Sequence, residues 1–372
     1  MKLLHTADLH LDSAFCGSGA LAADIRRQAQ RSLLKRIFDT AREETCDMVL
    51  IAGDLFDTLL VTPETKSLCI ELFASFGRPV VIAPGNHDPY VDGSIYKSGE
   101  LPENVYVFSS PELQVFDFSE LGVSVAGYAF ASSALMNNPL VTAQIDRGEV
   151  NPVLLLCAHT EINVPTSKYA PVTLGDIQRH GFTYAALGHT HNVPELTENV
   201  RYCGFPEGRG FDEIGDGHVL LVSIDNGELV SVEQRVISEV RYVWDTVSVE
   251  GIGDVEDALE VIKAQIKKRA GKTTHMRVEM FGTVSEGVDT EVIARADELS
   301  ADVASLEIIN STLSLADGDY LEKDTTLRGE IYRTLRPMLI SDDLSERKLA
   351  MRALRIGLAA IDGKSFTEGG GV

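Results

Sequence analysis

The amino-acid sequence predicts an α/β protein, on three observations. Up to about residue 237, short apolar runs ending in Gly, Asp, Asn or His alternate with helical stretches or loops, which is how layered sheets and helices read in sequence. A second, shorter alternation of strand and helix runs from Val240 to Asn310, and two amphipathic helices follow from Asp324. The 372 residues, 44% hydrophobic and 24% charged, suffice for two or three domains with a sizeable core and exclude disorder as the main state.

The strand candidates of the first region are Leu3-Leu4, Met48 to Ala52, Pro79 to Ala83, Val153 to Ala158 and Tyr184 to Leu187. Between the first two, Ile25, Ala29, Leu33, Ile37 and Ala41 recur at helical spacing and predict a helix over 24–44 with a basic outer face. Thr62-Pro63 opens another helix, a cap residue followed by proline at the first position. Leu68, Ile70, Leu72, Phe73 and Phe76 make that helix apolar on more than one side, which favours deep burial over a seam for a second subunit. Asp225-Asn226-Gly227 marks a hairpin between alternating runs over 217–224 and 229–237, and this hairpin closes the first domain.

Strand 240–249, helix 255–269, strand 276–281, helix 290–299 and strand 304–310 then make a small α/β domain. The expected divisions are therefore 1–237, a cap over 238–317 and a helical tail over 318–372. In the tail, Leu327, Ile331, Leu335 and Leu339 recur every four residues, and Leu354, Leu358 and Ile361 stripe a second helix that Asp343 and Glu346 can cap.

The formal net charge of −23 argues against broad, sequence-independent adhesion to nucleic acid, so a polyanionic substrate has to be held locally. Residues 1–240 carry 16 basic and 32 acidic side chains, whereas residues 318–372 carry nine of each, with Arg333, Arg336, Arg347, Lys348, Arg352 and Arg355 interspersed. Lys263, Lys267, Lys268, Arg269 and Lys272 cluster at a helix end and read as a solvated complement to its dipole rather than a phosphate contact. No apolar run approaches the roughly 18 to 20 residues of a bilayer-spanning helix, and Met1-Lys2 leads into a strand without a signal-peptide layout. Cys16, Cys46, Cys69, Cys157 and Cys203 are scattered and never form C-x-x-C, which predicts neither a disulfide framework nor a zinc knuckle. The expected location is a reducing cytoplasm, with no membrane association.

Five short blocks carry the chemistry of the first region: Asp8-Leu9-His10, Gly53-Asp54-Leu55-Phe56-Asp57, Gly85-Asn86-His87-Asp88, Ala158-His159 and Gly188-His189-Thr190-His191. Each follows an apolar run and so sits just past the carboxyl end of a strand, where α/β sheets place ligand sites. Their carboxylates, imidazoles and one amide suit Mn, Fe or Zn and disfavour Cu(I) or iron–sulfur clusters. Asp8, His10, Asp54, Asn86, His159, His189 and His191 are too many ligands for one tetrahedral ion and match a two-metal centre with open positions.

In this order the blocks resemble the calcineurin-like metallophosphoesterase superfamily, whose signature is D-x-H, G-D-x-x-D, G-N-H-D/E, H and G-H-x-H; the likeness covers residues 1 to about 225. The resemblance implies a metallophosphoesterase β-sandwich flanked by helices and two divalent ions, Mn²⁺ first, with Zn²⁺ or Fe²⁺ as alternatives. It also implies Asp8, His10 and His191 on one ion, Asn86, His159 and His189 on the other, and Asp54 as the bridge. His87 then corresponds to a catalytic histidine facing the phosphate, and Asp57 to the carboxylate that orients it.

The stretch Leu4-His5-Thr6-Ala7-Asp8-Leu9-His10-Leu11-Asp12-Ser13 and the loop from Tyr202 to Phe211 are similar to the SbcD-type DNA repair exonucleases, especially their YhaO-like branch. That narrower resemblance implies DNA as substrate, a cap that shapes its approach, and an SbcC-like SMC-type ATPase docked on the tail. A homodimer is a further partner reading. Arg209 is a candidate phosphate contact, His5 a candidate support for the ligands, and His180, His218 and His275 read as plain surface or core histidines. Two other classes stand beside the nuclease: a phosphatase or nucleotide phosphodiesterase on small substrates, and a non-catalytic scaffold.

Overall fold

The computed structural model describes residues 1–15, 20–146, 150–192, 194, 196–341 and 343–361. Cys16 and the Gly369-Gly370-Gly371 run lie outside the described residues. The chain divides into two compact units, Met1–Arg209 with Asp216–Glu239, and Gly210–Gly215 with the residues from Val240 onward.

Two sheets face each other in the first unit. In one, β1 (Lys2–Thr6), β2 (Met48–Ile51), β3 (Val80–Ile82) and β4 (Val105–Val107) run parallel, and the hairpin of β12 (His218–Asp225) and β13 (Glu228–Val236) adds to β1 antiparallel, giving the order β13-β12-β1-β2-β3-β4. In the other, β5 (Gln114–Phe118), β6 (Val123–Gly127), β7 (Val153–His159), β10 (Tyr184–Gly188) and β11 (Val200–Tyr202) take the order β11-β10-β7-β6-β5, with β5–β6 as the one antiparallel pair. A two-residue ladder of β8 (Glu161–Ile162) and β9 (Pro171–Val172) lies apart from both.

Leu3, Leu50, Val81 and Leu220 of the first sheet pack in one core with Val125, Leu155, Cys157 and Ala186 of the second. The outer side of the first sheet is covered by α1 (Ala20–Glu43) and α2 (Pro63–Phe76) through Leu33, Ile37, Phe38, Cys69 and Phe73. The outer side of the second holds Ile177 of α3 (Leu174–Arg179). Every residue of β2, β7 and β10 is buried. Strands covered on both faces read as continuous apolar runs, which is why they were visible in the sequence. The implied sandwich flanked by helices is therefore the fold observed.

Local rules explain the ends of these elements. Thr62 caps α2, its side chain accepting from Thr65 N, and Gly77 ends it at φ 66°. Leu72, Phe73 and Phe76 are buried and Leu68 packs on the core, so the helix is apolar because it is covered. α1 starts four residues earlier than expected, since Ala20 to Ala23 are strong helix formers. Asn226 and Gly227, both at positive φ, make the two-residue hairpin turn.

The second unit is built on β14 (Arg241–Ser248), β15 (Gly271–Val284) and β16 (Val303–Ser314), all parallel and in that order. α4 (Val255–Lys267) and α5 (Val288–Ala294) cover one face, burying Val243, Val247, Ile262, Met276, Val278 and Val292 in one core. β15 extends well past the expected 276–281 because, as the central strand, it is paired on both sides, and its polar start gains hydrogen bonds without an apolar signal. The expected helix 290–299 is instead α5 followed by a 3₁₀ stretch over Ala296–Asp302. In the basic cluster after α4, Lys268 donates to Gln265 Oε1 at 2.7 Å, and Lys272, at the start of β15, to Ala301 O at 2.7 Å.

α6 (Leu315–Lys323), α7 (Leu327–Leu339) and α8 (Leu344–Ile361) follow, and α6 was missed because Gly318 interrupts its pattern. Leu313 of β16 clusters with Met351 and Leu354 of α8, and Ile331, Leu335 and Leu339 of α7 pack against them. Leu327 and Leu349 stay exposed, and Asp343 Oδ1 accepts from Ser345 N at 2.8 Å at the start of α8. The side chains of Lys348 and Arg355 lie outside the described residues. Among the described residues, no helix is long and apolar enough to cross a membrane.

Candidate metal centre

All five sequence blocks leave the carboxyl ends of β1, β2, β3, β7 and β10, and the two sheets bring them to one place in the first unit. Asp8, His10 and His191 each offer a ligand atom within 4.8 Å of the others, and so do Asp8, Asp54 and His159. A third such group, His10, Asp54 and His87, overlaps both.

The backbone is held in unusual conformations to do this. Asp8 (φ 54°), His10 (φ 46°), Asp54 (φ 47°) and His189 (φ 103°) lie in the left-handed region, which costs a non-glycine residue about 1 kcal/mol or more and persists where surroundings enforce it. Glycines provide the close approaches: a Cβ on Gly188 would sit 2.0 Å from Ala52 O, and one on Gly53, at φ 96°, would sit 2.3 Å from His159 Nδ1.

Burial grades outward. Asp8, His10, Asp54 and His159 are buried, Asn86, His189 and His191 are half-buried, and the His87 side chain is exposed. Two buried nitrogens test whether a cation fits. His159 Nδ1 donates to Ala52 O at 3.0 Å, so its Nε2 faces Asn86 Oδ1 at 3.0 Å and Asp54 Oδ2 at 3.3 Å, two acceptors, and only a proton or a metal ion reconciles them. His10 Nδ1 lies 2.9 Å from Asp57 Oδ1, while its buried Nε2 has no hydrogen-bond partner and points toward Asp54 Oδ2 at 3.7 Å. A desolvated lone pair is costly unless an ion takes it, and a carboxylate on the far ring nitrogen is how metal-binding imidazoles are held. The residues present fit divalent cations.

The electrostatics agree. Burial opposes charge on His159, but Asp54 outweighs it and carries the imidazole up to about 9, the field that would equally hold a cation. Burial would raise Asp54, yet His159, His10 and His87 hold it below the usual carboxylate range. Burial, with His159 nearby, lowers His189 to about 4, and burial lowers His10 despite Asp57. The exposed His87 moves the other way: its Nδ1 lies 3.2 Å from Asp57 Oδ1, and that carboxylate raises its pKa. Burial opposes ionisation of Asp57, but its bonds to His10 and His87 hold its pKa low.

Other expected residues fall around this centre. His191 Nε2 lies 3.6 Å from Asp8 Oδ1. His189 N donates to Asp8 Oδ2 at 3.0 Å, and its ring lies beside Tyr169 at 4.6 Å and His159 at 5.1 Å, with Glu161 4.0 Å from its Nε2. Arg209 Nη1 is 3.8 Å from Asp57 Oδ1. His5 is buried against Tyr184 OH and Leu187 O. His180 Nε2 faces Leu140 O at 3.0 Å, and His275 stacks on Tyr242.

Sequence reasoning gave no role to the residues that fasten the loops to one another, although Asp88 and Asp12 stand in its motifs. Asp88 accepts from Gly85 N (2.8 Å), Phe56 N (3.2 Å) and Tyr96 OH (2.6 Å), tying the Asn86 loop to the Asp54 loop. Asp12 accepts from Thr62 N and Thr65 Oγ1, both at 2.7 Å, and Gln30 Nε2 donates to His10 O at 2.7 Å. Asp12 continues the alternation of Asp8 and His10, a signal that was legible; Gln30 and Tyr96 gave none.

Residues 1–193 match the family described as Calcineurin-like phosphoesterase. Among similar proteins, "Uncharacterized metallophosphoesterase YhaO" of Bacillus subtilis is 29% identical over 77% of this chain and 73% of its own length. "DNA double-strand break repair protein Mre11" of Methanopyrus kandleri is 26% identical over 89% of this chain and 75% of its own, and the SbcD subunit of nuclease SbcCD of Escherichia coli K12 is 27% identical over 63% and 67%.

Proposed function

The chain belongs to the calcineurin-like phosphoesterase family, and from that premise we propose that it is a two-metal phosphodiesterase whose substrate is DNA. The observation that carries the reading is one site joining buried carboxylates and imidazoles that need a cation to an exposed imidazole bound to a carboxylate. Asp8, His10 and His191 would hold one ion, Asn86, His159 and His189 the other, with Asp54 between them. Divalent ions bound there neutralise phosphate charge and acidify water, and Mn²⁺ suits this oxygen and nitrogen donor set. With only Asp8 and Asp54 as ligand carboxylates, the loaded pocket is positive inside an acidic protein, which is how a polyanion is drawn in locally.

The chain's own residues supply the rest. His87, protonated and held by Asp57, donates its proton to the leaving oxygen, a contribution on the order of 10² to 10⁴ in rate. Arg209, whose guanidinium lies 3.8 Å from Asp57 Oδ1, would also contact a phosphate at the mouth. DNA as substrate, DNA repair as the role, the cytoplasm as the location, a homodimer and an SbcC-like ATPase on α7 and α8 are carried by the similarity to SbcD and Mre11 proteins and by the exposed apolar residues of those helices.

Mn²⁺-loaded protein assayed on linear duplex DNA, single-stranded DNA and cyclic and linear nucleotides tests this. Cleavage of DNA with little turnover of nucleotides is the expected result. Turnover of nucleotides alone would make it a small-molecule phosphodiesterase, and two bound ions without turnover of any substrate would make it a scaffold.

A further inference from the structure

The loop that carries Asn86 and His87 and the loop that carries Asp54 and Asp57 both belong to the first compact unit, and they meet at the buried carboxylate of Asp88. Asp88 Oδ1 accepts from Gly85 N of its own loop at 2.8 Å, and Oδ2 accepts from Phe56 N of the other loop at 3.2 Å and from Tyr96 OH at 2.6 Å. The bond that joins the two loops is thus the longest of the three, and it shares its acceptor oxygen with the phenol. The loops meet again at His87, whose N donates to Asp54 Oδ1 at 3.0 Å and whose Nδ1 lies 3.2 Å from Asp57 Oδ1.

Tyr96 stands in none of the five sequence blocks. It belongs to a 3₁₀ turn over Ile95–Lys97. Its ring is buried in the same core as Ile95 and Phe56, with 6.0 Å between the centroids of Tyr96 and Phe56. The turn has its own fastenings: Lys97 pairs with Asp92 at 2.9 Å and lies 5.1 Å from the Tyr90 centroid, and Tyr90 N donates to Phe130 O at 2.7 Å. Phe130 N donates in turn to Pro84 O at 3.1 Å. A carboxylate turns with little resistance about its last torsion, so its donors decide where its oxygens point. Of the three donors to Asp88, Tyr96 OH is the one that neither ligand-bearing loop supplies.

We infer that Tyr96 is a positioning residue: by fixing the Asp88 carboxylate it holds Phe56 N, and with it the loop from Asp54 to Asp57, against the loop of Asn86 and His87, and so sets the contact between His87 and Asp57. Tyr96 acts through Asp88, and the kinetic part of the inference rests on the proton donation proposed for His87.

The full chain at saturating Mn²⁺ tests it, with two aryl phosphodiesters and with amide hydrogen exchange as an independent readout. Diphenyl phosphate needs more proton donation to its leaving oxygen than bis(4-nitrophenyl) phosphate does. Tyr96→Phe should lower kcat about tenfold on the first and roughly threefold or less on the second, the scale of a small misplacement, with KM unchanged. Combined with His87→Ala it should lower kcat no further than His87→Ala alone. Exchange should quicken in Tyr96→Phe over 54–57 and 85–88. All readouts are taken well below the melting midpoint of each variant, so a loss of global stability moves none of them. An unchanged kcat, equal losses on the two esters, or a further loss in the double variant would overturn the inference. A wild-type chain that cleaves neither ester refutes the phosphodiesterase reading, whereas unchanged exchange over 54–57 refutes the role of Tyr96 whatever the chain cleaves.

Discussion

The two compact units handle buried polarity in opposite ways. In the first, Asp8, His10, Asp54, Asp88, His159 and Glu207 are buried, whereas the buried polar residues of the second, among those described, are Glu213 and Thr274. Every described non-glycine residue at positive φ, from Asp8 to Asn226, belongs to the first unit. The core of the second unit buries aliphatic residues, and ion pairs beside it, such as Arg295 with Glu298 after α5, stay at the surface, where they contribute little. Strain and desolvated charge persist only where the surroundings enforce them, so their concentration in the first unit marks where the candidate site lies.

The largest effect that would sharpen this contrast is at the centre of the first unit. Asp54→Asn should lose bound metal and on the order of 10³-fold or more in turnover, the scale of lost charge stabilisation. Elemental analysis finding two ions per chain in that variant would break the ligand assignment. Next, His87→Ala should keep its ions and lose on the order of 10²-fold on DNA, with a smaller loss on a nitrophenyl ester, whose leaving group needs little protonation. Equal losses on both would mean that His87 orients phosphate rather than donating a proton.

Glycines compare the two units directly. Gly188→Ala forces a Cβ against Ala52 O and should cost about 1–3 kcal/mol or more, seen as a shifted denaturation midpoint. Gly253→Ala in the second unit meets only Ser285 Oγ at 3.4 Å and should change stability by no more than about 0.5 kcal/mol. Similar shifts for both would remove the distinction. The smallest expected effect is removal of α6, α7 and α8: a chain ending at Leu315 should melt within a few degrees of the full one, because, among the described residues, Leu313 is the sheet residue in their cluster. It should also keep its metal and lose co-purification with an SMC-like ATPase. Early melting would assign the three helices to the core of the second unit.

Much of the first unit was legible because burial on both faces turns a strand into an uninterrupted apolar run, and because the ligand blocks stand directly after those runs. Thr62-Pro63 and Asn226-Gly227 were legible because caps and tight turns are decided by one or two residues. The length of β15 and the existence of α6 were not, since pairing on two sides stabilises polar residues that carry no local signal.

The sequence by itself determined which side chains could bind a cation and on which strand ends they stand, since residue type and local hydrophobicity are properties of short stretches. Tertiary structure alone decided that one oxygen of Asp57 would be shared among His10, His87 and Arg209, that Asp88 would pin two loops, and that Asp8 and Asp54 would be held in left-handed conformations. These arrangements join residues tens to hundreds of positions apart, and their free energy arises from desolvation and packing that exist only once both sheets have closed around the site.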